Sequence, residues 1–345
     1  GSYFPDPRLR QLFGRYATYV GASPFSAPGV LMLIAHVEQT GVWLVDGGMT
    51  AVARAMEALG QQRGAHYRYG TRALRILVDR GSVVGVELAD GERLAADAVV
   101  FNGDPAALAT GLLGDAVSGS VGRANPRLRS LSAMTFAFKG RSAGRPLAHH
   151  TVAFSSAYQA EFDAIFGRGS MPTEPTVYIC ASDRGAGLAP RAPEGDERIF
   201  CLINAPPKGD DATAFDDREI EQCQDRTFSH LQRLGLAMNW EPRALTVTTP
   251  RDFHRRFPAT GGALYGPVSH GWMASFQRPG SRTRLKGLYL AGGATHPGAG
   301  VPMATLSGRL AAQALSADLA SMRSSRPVAM SGGMSTASAT TDSTR

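Results

Sequence analysis

The stretch Gly287–Leu315, GLYLAGGATHPGAGVPMATLSGRLAAQAL, carries the clearest structural signal in the chain. Its pattern predicts a short buried strand over 288–291, a glycine-rich loop, and then a helix entered through Pro302. Glycines let the backbone turn sharply and approach a ligand closely. A proline in the first turn of a helix costs no hydrogen bond, because the backbone N–H that it lacks would have no partner within the helix there. An ordinary strand-to-helix connection needs only a few residues. The extra glycine therefore favours a ligand-binding loop, with the positive helix N-terminus facing an electron-rich group.

The run His296-Pro-Gly-Ala-Gly-Val-Pro302 is the most specific motif in this stretch. It resembles the C-terminal FAD motif of the carotenoid desaturases, the phytoene-desaturase-like flavoproteins. The resemblance implies FAD as cofactor, with this loop beside the flavin ring and ribityl chain. It also implies that the backbone at the start of the first predicted ribbon strand borders the adenine. The implied FAD contacts are Ala73, Asp104, Gly292, Gly293, Pro297, Gly298, Gly300, Val301, Pro302 and Met303.

Composition indicates a globular protein that can bury a sizeable core, in two lobes. The 345 residues are 43% hydrophobic and carry a formal net charge of +7 from an arginine-rich composition. Basic residues are not interleaved with aromatic ones, so we expect no nucleic-acid partner; a basic surface suits anionic lipid better. Cys180, Cys201 and Cys223 are widely spaced and lack CxxC pairing. They predict buried thiols in a reducing compartment, with neither a disulfide framework nor a metal site.

The sequence contains no apolar run long enough to cross a bilayer, because Val30–Ala35 is followed by His36 and Glu38. No signal peptide is recognisable. No Gly-x-Gly-x-x-Gly follows a predicted strand, whereas proteins of the resembled family begin with a dinucleotide-binding βαβ unit. We therefore expect the N-terminal Rossmann βαβ segment to be missing, and the chain by itself not to retain FAD.

The expected fold is mixed α/β (α+β): a two-lobed FAD-dependent oxidoreductase of the amine-oxidase and phytoene-desaturase type. Residues 1–45 are predicted to form a helical part that faces substrate or membrane. Residues 46–105 would be the middle segment of the FAD domain, and 106–286 a substrate lobe with an antiparallel sheet and covering helices. Residues 287–320 would be the C-terminal FAD segment. The Ser/Thr/Gly-rich residues 321–345 are predicted to be a disordered tail.

Periodicity also predicts the individual elements within these parts. The predicted helices cover residues 3–20, 26–39, 51–63, 158–166 and 217–236. The predicted strands cover residues 42–45, 73–79, 83–88, 98–101, 134–138, 151–154, 176–181 and 199–204.

Gly14–Gly21, Leu147–His150 and Met171–Arg184 resemble one branch of the family, the purple-bacterial desaturases acting at C3–C4 of 1-hydroxy or 1-methoxy acyclic carotenoids. The resemblance implies an acyclic C40 carotenoid as substrate. It also implies cytoplasmic location, peripherally attached to the inner photosynthetic membrane. A phytoene desaturase or carotenoid isomerase of the same group stays open. So does a non-catalytic prenyl-chain-binding protein, against which the intact glycine-rich loop argues.

Desaturating a CH2–CH2 unit needs a hydride acceptor, which a flavin supplies and no side chain does. The protein must hold the apolar chain and exclude water. Whether it also takes up the proton stays open, because the conjugation gained stabilises a developing cation without a strong base. The candidate catalytic residues are His296, His149 and His150. His296 either acts beside the flavin or only hydrogen-bonds the loop; His149 and His150 either bind a terminal oxygen of the substrate or end a strand at the surface. Asp183-Arg184 is interpreted as a structural ion pair.

Overall fold

The computed structural model describes residues 3–185 and 192–324. Its α-helices are α1 (Pro7–Gly14), α2 (Leu33–Gln39), α3 (Met49–Gln62), α4 (Pro105–Ala109), α5 (Tyr158–Phe162), α6 (Asp217–Arg233), α7 (Pro250–Arg256) and α8 (Val301–Ser324). Its strands are β1 (Ala73–Asp79), β2 (Ser82–Leu88), β3 (Arg93–Ala95), β4 (Val99–Phe101), β5 (Ser132–Gly144), β6 (His150–Ala153), β7 (Val177–Ala181), β8 (Glu197–Ala205), β9 (Leu236–Trp240), β10 (Thr246–Thr248) and β11 (Leu288–Leu290).

The N-terminal part is helical, but its first predicted helix is split. Asp6 caps α1 by accepting a hydrogen bond from the backbone N–H of Arg8 at 2.8 Å. The chain then tightens into a 3-10 helix over Arg15–Val20, which ends at Gly21 in a left-handed conformation. The second predicted helix likewise begins as a 3-10 turn before α2.

The predicted strand over residues 42–45 is wrong. The segment has no regular secondary structure and pairs with no strand in the described part of the chain, and Trp43 is 79% exposed. Apolar residues can form a stable strand only where a neighbouring strand satisfies their backbone groups. A pattern of apolar residues reports no such partner.

Two small sheets lie outside the large antiparallel sheet. Strands β1, β2 and β3 make an antiparallel ribbon, and β4 pairs with β11 in parallel, with Leu290 opposite Phe101. The ribbon and this pair share a core that includes Ile76, Leu108 and Leu288. The parallel pairing joins residues almost two hundred positions apart, and it fixes where the loop after β11 begins.

The large antiparallel sheet has the order β10-β5-β8-β7-β6, and β9 pairs with the far half of β5. Strand β5 is longer than predicted because β10 and β9 pair with successive parts of it. One face of the sheet packs under α6 in a core that includes Phe136, Ile179, Ile203 and Leu231. The predicted extension of α6 to residue 236 is wrong, because Gly235 turns the chain into β9.

The opposite face of the sheet is only partly covered. In register across it lie Thr135, Leu202, Tyr178 and Val152, and in the next row Ala137, Phe200, Cys180 and His150. Most of these side chains are half-buried, and His150 is exposed. We call this surface, defined by those eight residues, the open face.

Helix α8 begins at Val301, one residue before the predicted entry, and packs through small residues, with Ser307 and Ala311 fully buried. Residues 321–324 complete this helix, and the remainder of the predicted tail, 325–345, lies outside the described residues.

Among the helices of the described residues, none is both long and apolar enough to cross a membrane.

Candidate functional site

The site begins where β4 and β11 end. Because parallel strands put their carboxyl ends at one edge, the segment 102–104 and the loop 291–300 leave the sheet side by side. The backbone N–H of Ala291 donates to the carbonyl of Phe101 at 3.1 Å, so the two exits stay in contact. The predicted loop is therefore at the sheet edge where ligands of α/β folds usually bind.

Ser307 fixes the start of the loop to α8. Its buried hydroxyl accepts from the backbone N–H of Gly292 at 2.7 Å and lies 2.7 Å from the carbonyl of Ala304. Sequence analysis did not identify this residue as part of the site. The available signal was a serine on an otherwise alanine- and glycine-rich helix face.

Arg278 holds the middle of the loop from the other side. Its Nη1 donates to the carbonyls of Gly293 at 2.8 Å and Tyr265 at 2.9 Å, and its Nη2 donates to the carbonyl of Pro267 at 2.9 Å. The side chain is buried, and burial lowers the pKa of Arg278 while the nearby carboxylate of Asp104 opposes that shift. No local pattern distinguishes this arginine from the many others, so sequence analysis missed it.

The end of the loop leaves open space beside a helix start. Gly300 is exposed and has φ +97°, and a Cβ at this position would meet no described atom within 4 Å. Val301 and Met303 in the first turn of α8 are 59% and 41% exposed. A bare backbone beside apolar side chains and a helix N-terminus suits one face of a planar aromatic cofactor. The hydroxyl of Thr295 is buried with no hydrogen-bond partner among the described residues.

Of the other predicted FAD contacts, Pro302 follows Val301 in the first turn of α8, and Gly298 is buried against Arg278 with φ +142°. Pro297 is half-buried and joined to His296 by a cis peptide. The side chain of His296 is exposed, and its backbone N–H donates to the carbonyl of Pro279 at 2.8 Å.

Asp104 and Ala73 occupy different surroundings. Asp104 caps α4 by accepting from the backbone N–H of Ala106 at 2.8 Å. Burial raises the pKa of the Asp104 carboxyl, and the charges of Arg278 and Arg129 oppose this shift. Ala73 lies exposed at the start of β1, opposite Leu88, and no hydrogen bond within residues 3–185 and 192–324 joins it to the loop. Asp104 thus lies within electrostatic range of Arg278, which holds the loop, whereas Ala73 lies on the ribbon.

His149 and His150 lie together at the start of β6, outside the loop. The Nδ1 of His149 is 2.6 Å from the carbonyl of Arg184, so this nitrogen carries a proton and donates. The Nδ1 of His150 is 2.7 Å from the hydroxyl of Tyr178, and burial together with the charge of His149 lowers the pKa of His150. His149, His150 and Cys180 each place one potential ligand atom within 4.8 Å of the others.

The predicted ion pair between Asp183 and Arg184 is wrong. Arg184 instead makes a bidentate contact with Glu197, with Nε–Oε2 at 2.7 Å and Nη2–Oε1 at 2.6 Å. Asp183 pairs with Arg198. Asp183 and Arg184 both lie in the turn after β7, and each pairs with a residue at the start of the neighbouring strand β8.

Comparison with known proteins identifies the family. Residues 2–316 match the family described as flavin containing amine oxidoreductase. The chain is 53% identical to hydroxyneurosporene desaturase of Rubrivivax gelatinosus over 98% of this chain and 64% of the relative. It is 49% identical to the protein of the same name from Cereibacter sphaeroides, over 92% of this chain and 63% of the relative. A 1-hydroxycarotenoid 3,4-desaturase of a Flavobacterium species is 32% identical, over 90% and 62%.

These coverages mean that the chain spans less than two thirds of the length of these relatives. Among solved structures, an oxidoreductase from Methanosarcina mazei superposes with a TM-score of 0.57 at 16% identity, covering 90% of this chain and 66% of that one. At this identity the similarity concerns the fold.

Proposed function

Because the chain belongs to the flavin-containing amine oxidoreductase family, with FAD as its cofactor, we propose that it is part of a carotenoid 3,4-desaturase. The substrate is an acyclic C40 carotenoid that carries a hydroxyl or methoxyl group at C1. The names of the relatives support this substrate class. The observation that carries the proposal is the open face, a mostly half-buried and largely apolar surface. It belongs to the same predicted substrate lobe as Arg278, which contacts the loop 291–300 through the carbonyl of Gly293.

FAD, when bound, accepts the hydride that leaves the CH2–CH2 unit. The chain's own residues position this cofactor and the hydrocarbon. The fixed loop, held by Ser307 and Arg278, leaves the surface at Gly300 and Val301 bare for the ring. Phe200 and Leu202 offer apolar contacts to a long chain and exclude water from it. Binding a polyene against the ring in this way orients C3–C4 for hydride transfer.

A test needs the complete flavoprotein. We expect this chain, joined to the part of the Rubrivivax gelatinosus relative that it does not span, to bind FAD and to desaturate a 1-hydroxylated acyclic carotenoid in liposomes. The product should be two hydrogens lighter, with one more conjugated double bond and a red-shifted absorption spectrum. Stoichiometric FAD with no desaturation of any acyclic carotenoid would contradict the proposed function.

The proposal extends to peripheral attachment at the cytoplasmic side of the photosynthetic membrane, because a C40 hydrocarbon must be taken from lipid. Val30, Leu33 and Trp43 are 56%, 59% and 79% exposed. The backbone N–H of Gly271 donates to the carbonyl of Ser26, which brings the exposed Trp272 close to this helical part. Exposed apolar side chains from two segments are typical of a surface that inserts shallowly into lipid.

Flotation with anionic liposomes tests this attachment. Trp43→Ser combined with Leu33→Ser should reduce the lipid-bound fraction several-fold, whereas Tyr69→Ser, which removes an aromatic ring that is 72% exposed on another segment, should not. Equal binding of parent and double variant would contradict the proposed surface.

A further inference from the structure

The Arg15 guanidinium is buried without the partners that a buried cation needs. The residue is only 9% exposed, and its Nε and Nη1 are inaccessible to solvent. Neither nitrogen has a hydrogen-bond partner anywhere in the described ranges. Leaving a buried charge and its donors unsatisfied is among the most costly arrangements in a protein. Such a group in a native fold requires an acceptor that the described residues do not supply.

A second unsatisfied donor lies beside it. The Tyr158 hydroxyl is buried and has no partner among the residues described. A Cβ built on Gly14, the neighbour of Arg15, would lie 3.8 Å from the Tyr158 ring, so the ring packs against this turn. Burial raises the pKa of Tyr158, and the Arg15 charge opposes the shift, as expected for neighbouring groups. Two buried donors from neighbouring segments therefore lack an acceptor in the described chain.

The groups around Arg15 do not neutralise it. Burial raises the pKa values of Tyr178 and Tyr265, and the Arg15 charge opposes both shifts. The Tyr265 ring also packs against Gly21, which ends the 3-10 helix that begins at Arg15. The nearby acid is Glu161, whose oxygens accept from the backbone N–H of Thr176 at 3.1 Å and from the Asn204 amide at 3.0 Å. Burial raises the pKa of Glu161, which further limits its charge. The phenols supply hydroxyl groups but no counter-charge.

Groups of this cluster reach both the open face and the loop 291–300. Tyr178 belongs to the open face. The Nη1 of Arg278 donates to the carbonyls of both Tyr265 and Gly293, so one guanidinium bridges the backbone of Tyr265 and the loop. An oxygen bound by Arg15 would therefore have Tyr265, which Arg278 joins to the loop, in its surroundings. In a 1-oxygenated carotenoid, only a few bonds separate this oxygen from C3–C4.

We propose that Arg15 and Tyr158 bind the C1 oxygen of the substrate and thereby select 1-hydroxy and 1-methoxy carotenoids over unsubstituted hydrocarbons. This inference rests on the proposed function. A hydroxyl and a methoxyl oxygen both accept hydrogen bonds, and a guanidinium and a phenol both donate them, so the site suits either substituent. A site built to hydrogen-bond an oxygen discriminates against an analogue that lacks it, because its donors are then left unpaired.

The experiment compares two substrates in the joined flavoprotein described above: a 1-hydroxylated acyclic carotenoid and the same chain without the hydroxyl. We expect Arg15→Met to lower kcat/KM for the hydroxylated substrate roughly 10- to 100-fold, the loss expected for a hydrogen bond to a charged group. The hydrocarbon should change by less than about threefold on the same reasoning, since it makes no such bond. Tyr158→Phe should show a smaller selective loss, and Arg15→Lys should restore part of the selectivity. Arg141→Met, at an arginine whose side chain is 72% exposed, is the matched control.

Stability separates this role from a structural one. If Arg15 pairs with an acid in the part of the protein that this chain does not span, Arg15→Met should destabilise the joined protein and lower turnover of both substrates equally. That outcome would overturn the inference. If Arg15 serves a ligand, its removal should leave the melting temperature unchanged or raised, because an unsatisfied buried charge is lost.

The proposed function and this inference can fail separately. If the parent turns over neither carotenoid, quenching of intrinsic fluorescence by each carotenoid still compares binding. The inference then requires that Arg15→Met weaken binding of the hydroxylated compound selectively, and equal binding of both compounds by parent and variant would refute it.

Discussion

Arg184 and Arg15 are two buried arginines with opposite surroundings. Arg184 is 6% exposed, and each of its guanidinium nitrogens has an acceptor: Nε and Nη2 on Glu197, Nη1 on the carbonyl of Leu147 at 2.7 Å, and Nη2 also on the Ser142 hydroxyl at 2.8 Å. Arg15 is almost as buried, and two of its nitrogens have no partner in the described chain. Burial alone therefore does not distinguish a structural arginine from one that awaits a ligand. What distinguishes the two arginines is whether each buried nitrogen has a hydrogen-bond acceptor.

The large sheet shows the same contrast between its two faces. Alternate residues of β8 enter the core under α6, and those between them reach the open face. One strand thus stabilises the lobe and also presents a surface for a ligand. The following predictions test this division, starting with the largest expected effect.

Replacing Arg184 should cost the most. In Arg184→Met the Glu197 carboxylate stays buried without its counter-charge, and the free energy of unfolding should fall by about 3–5 kcal/mol. Urea unfolding of this chain measures the change, with Arg15→Met as the matched variant that should lose nothing comparable. A loss below about 1 kcal/mol in Arg184→Met, the value of an exposed pair, would show that this ion pair is not structural.

Truncating two neighbouring side chains on β8 should change the free energy of unfolding by different amounts on the two faces of the sheet. Ile203 is 1% exposed and packs in the core, so Ile203→Ala should destabilise by about 2–5 kcal/mol. Leu202 is half-buried on the open face, and Leu202→Ala should cost clearly less, about 1 kcal/mol, because less area returns to water. Similar losses at the two positions, again by urea unfolding, would mean that the open face is packed as tightly as the core.

At Gly300, a valine should affect the cofactor more than the fold. Its positive φ strains any side chain by roughly 1–2 kcal/mol, and the branched chain would fill the space left for the ring. Gly91→Val is the control. Gly91 has φ +88° and equally open space, and it lies in the turn between β2 and β3, far in sequence from the loop 291–300. In the joined flavoprotein, the flavin-to-protein ratio of the folded fraction should fall only in Gly300→Val. Equal ratios in both variants would rule out a flavin contact at Gly300.

Acid should weaken the substrate lobe through Glu197. The Arg184 hydrogen bonds lower the pKa of Glu197 in the folded state, against burial, which raises it. A lowered folded-state pKa gives stability that is present above the unfolded pKa of about 4.3 and is lost as the pH falls below it. Unfolding free energies measured between pH 7 and pH 3 should therefore decrease more steeply in the parent than in Glu197→Gln. Parallel pH profiles would contradict the assignment.

Local sequence was sufficient for the loop and for much of the secondary structure. The bounds of β1 match the prediction, and the turn into α8 falls within one residue of it. Glycine and proline constrain the backbone through their own covalent structure, so a loop such as 292–302 can be recognised without knowing its neighbours. The same motif placed the chain in its flavoprotein family, which the comparison confirmed.

Only the tertiary structure decided which polar groups are paired. Arg184 contacts Glu197 and not its neighbour Asp183, Arg278 contacts the loop carbonyl of Gly293, and the turn at Gly14 packs against Tyr158 from a distant part of the chain. Periodicity reports whether a residue is buried, but not what lies opposite it, because partners come together through strand register and packing between remote segments. For the same reason the apolar residues 42–45 were predicted to form a strand, although the described chain brings no strand beside them.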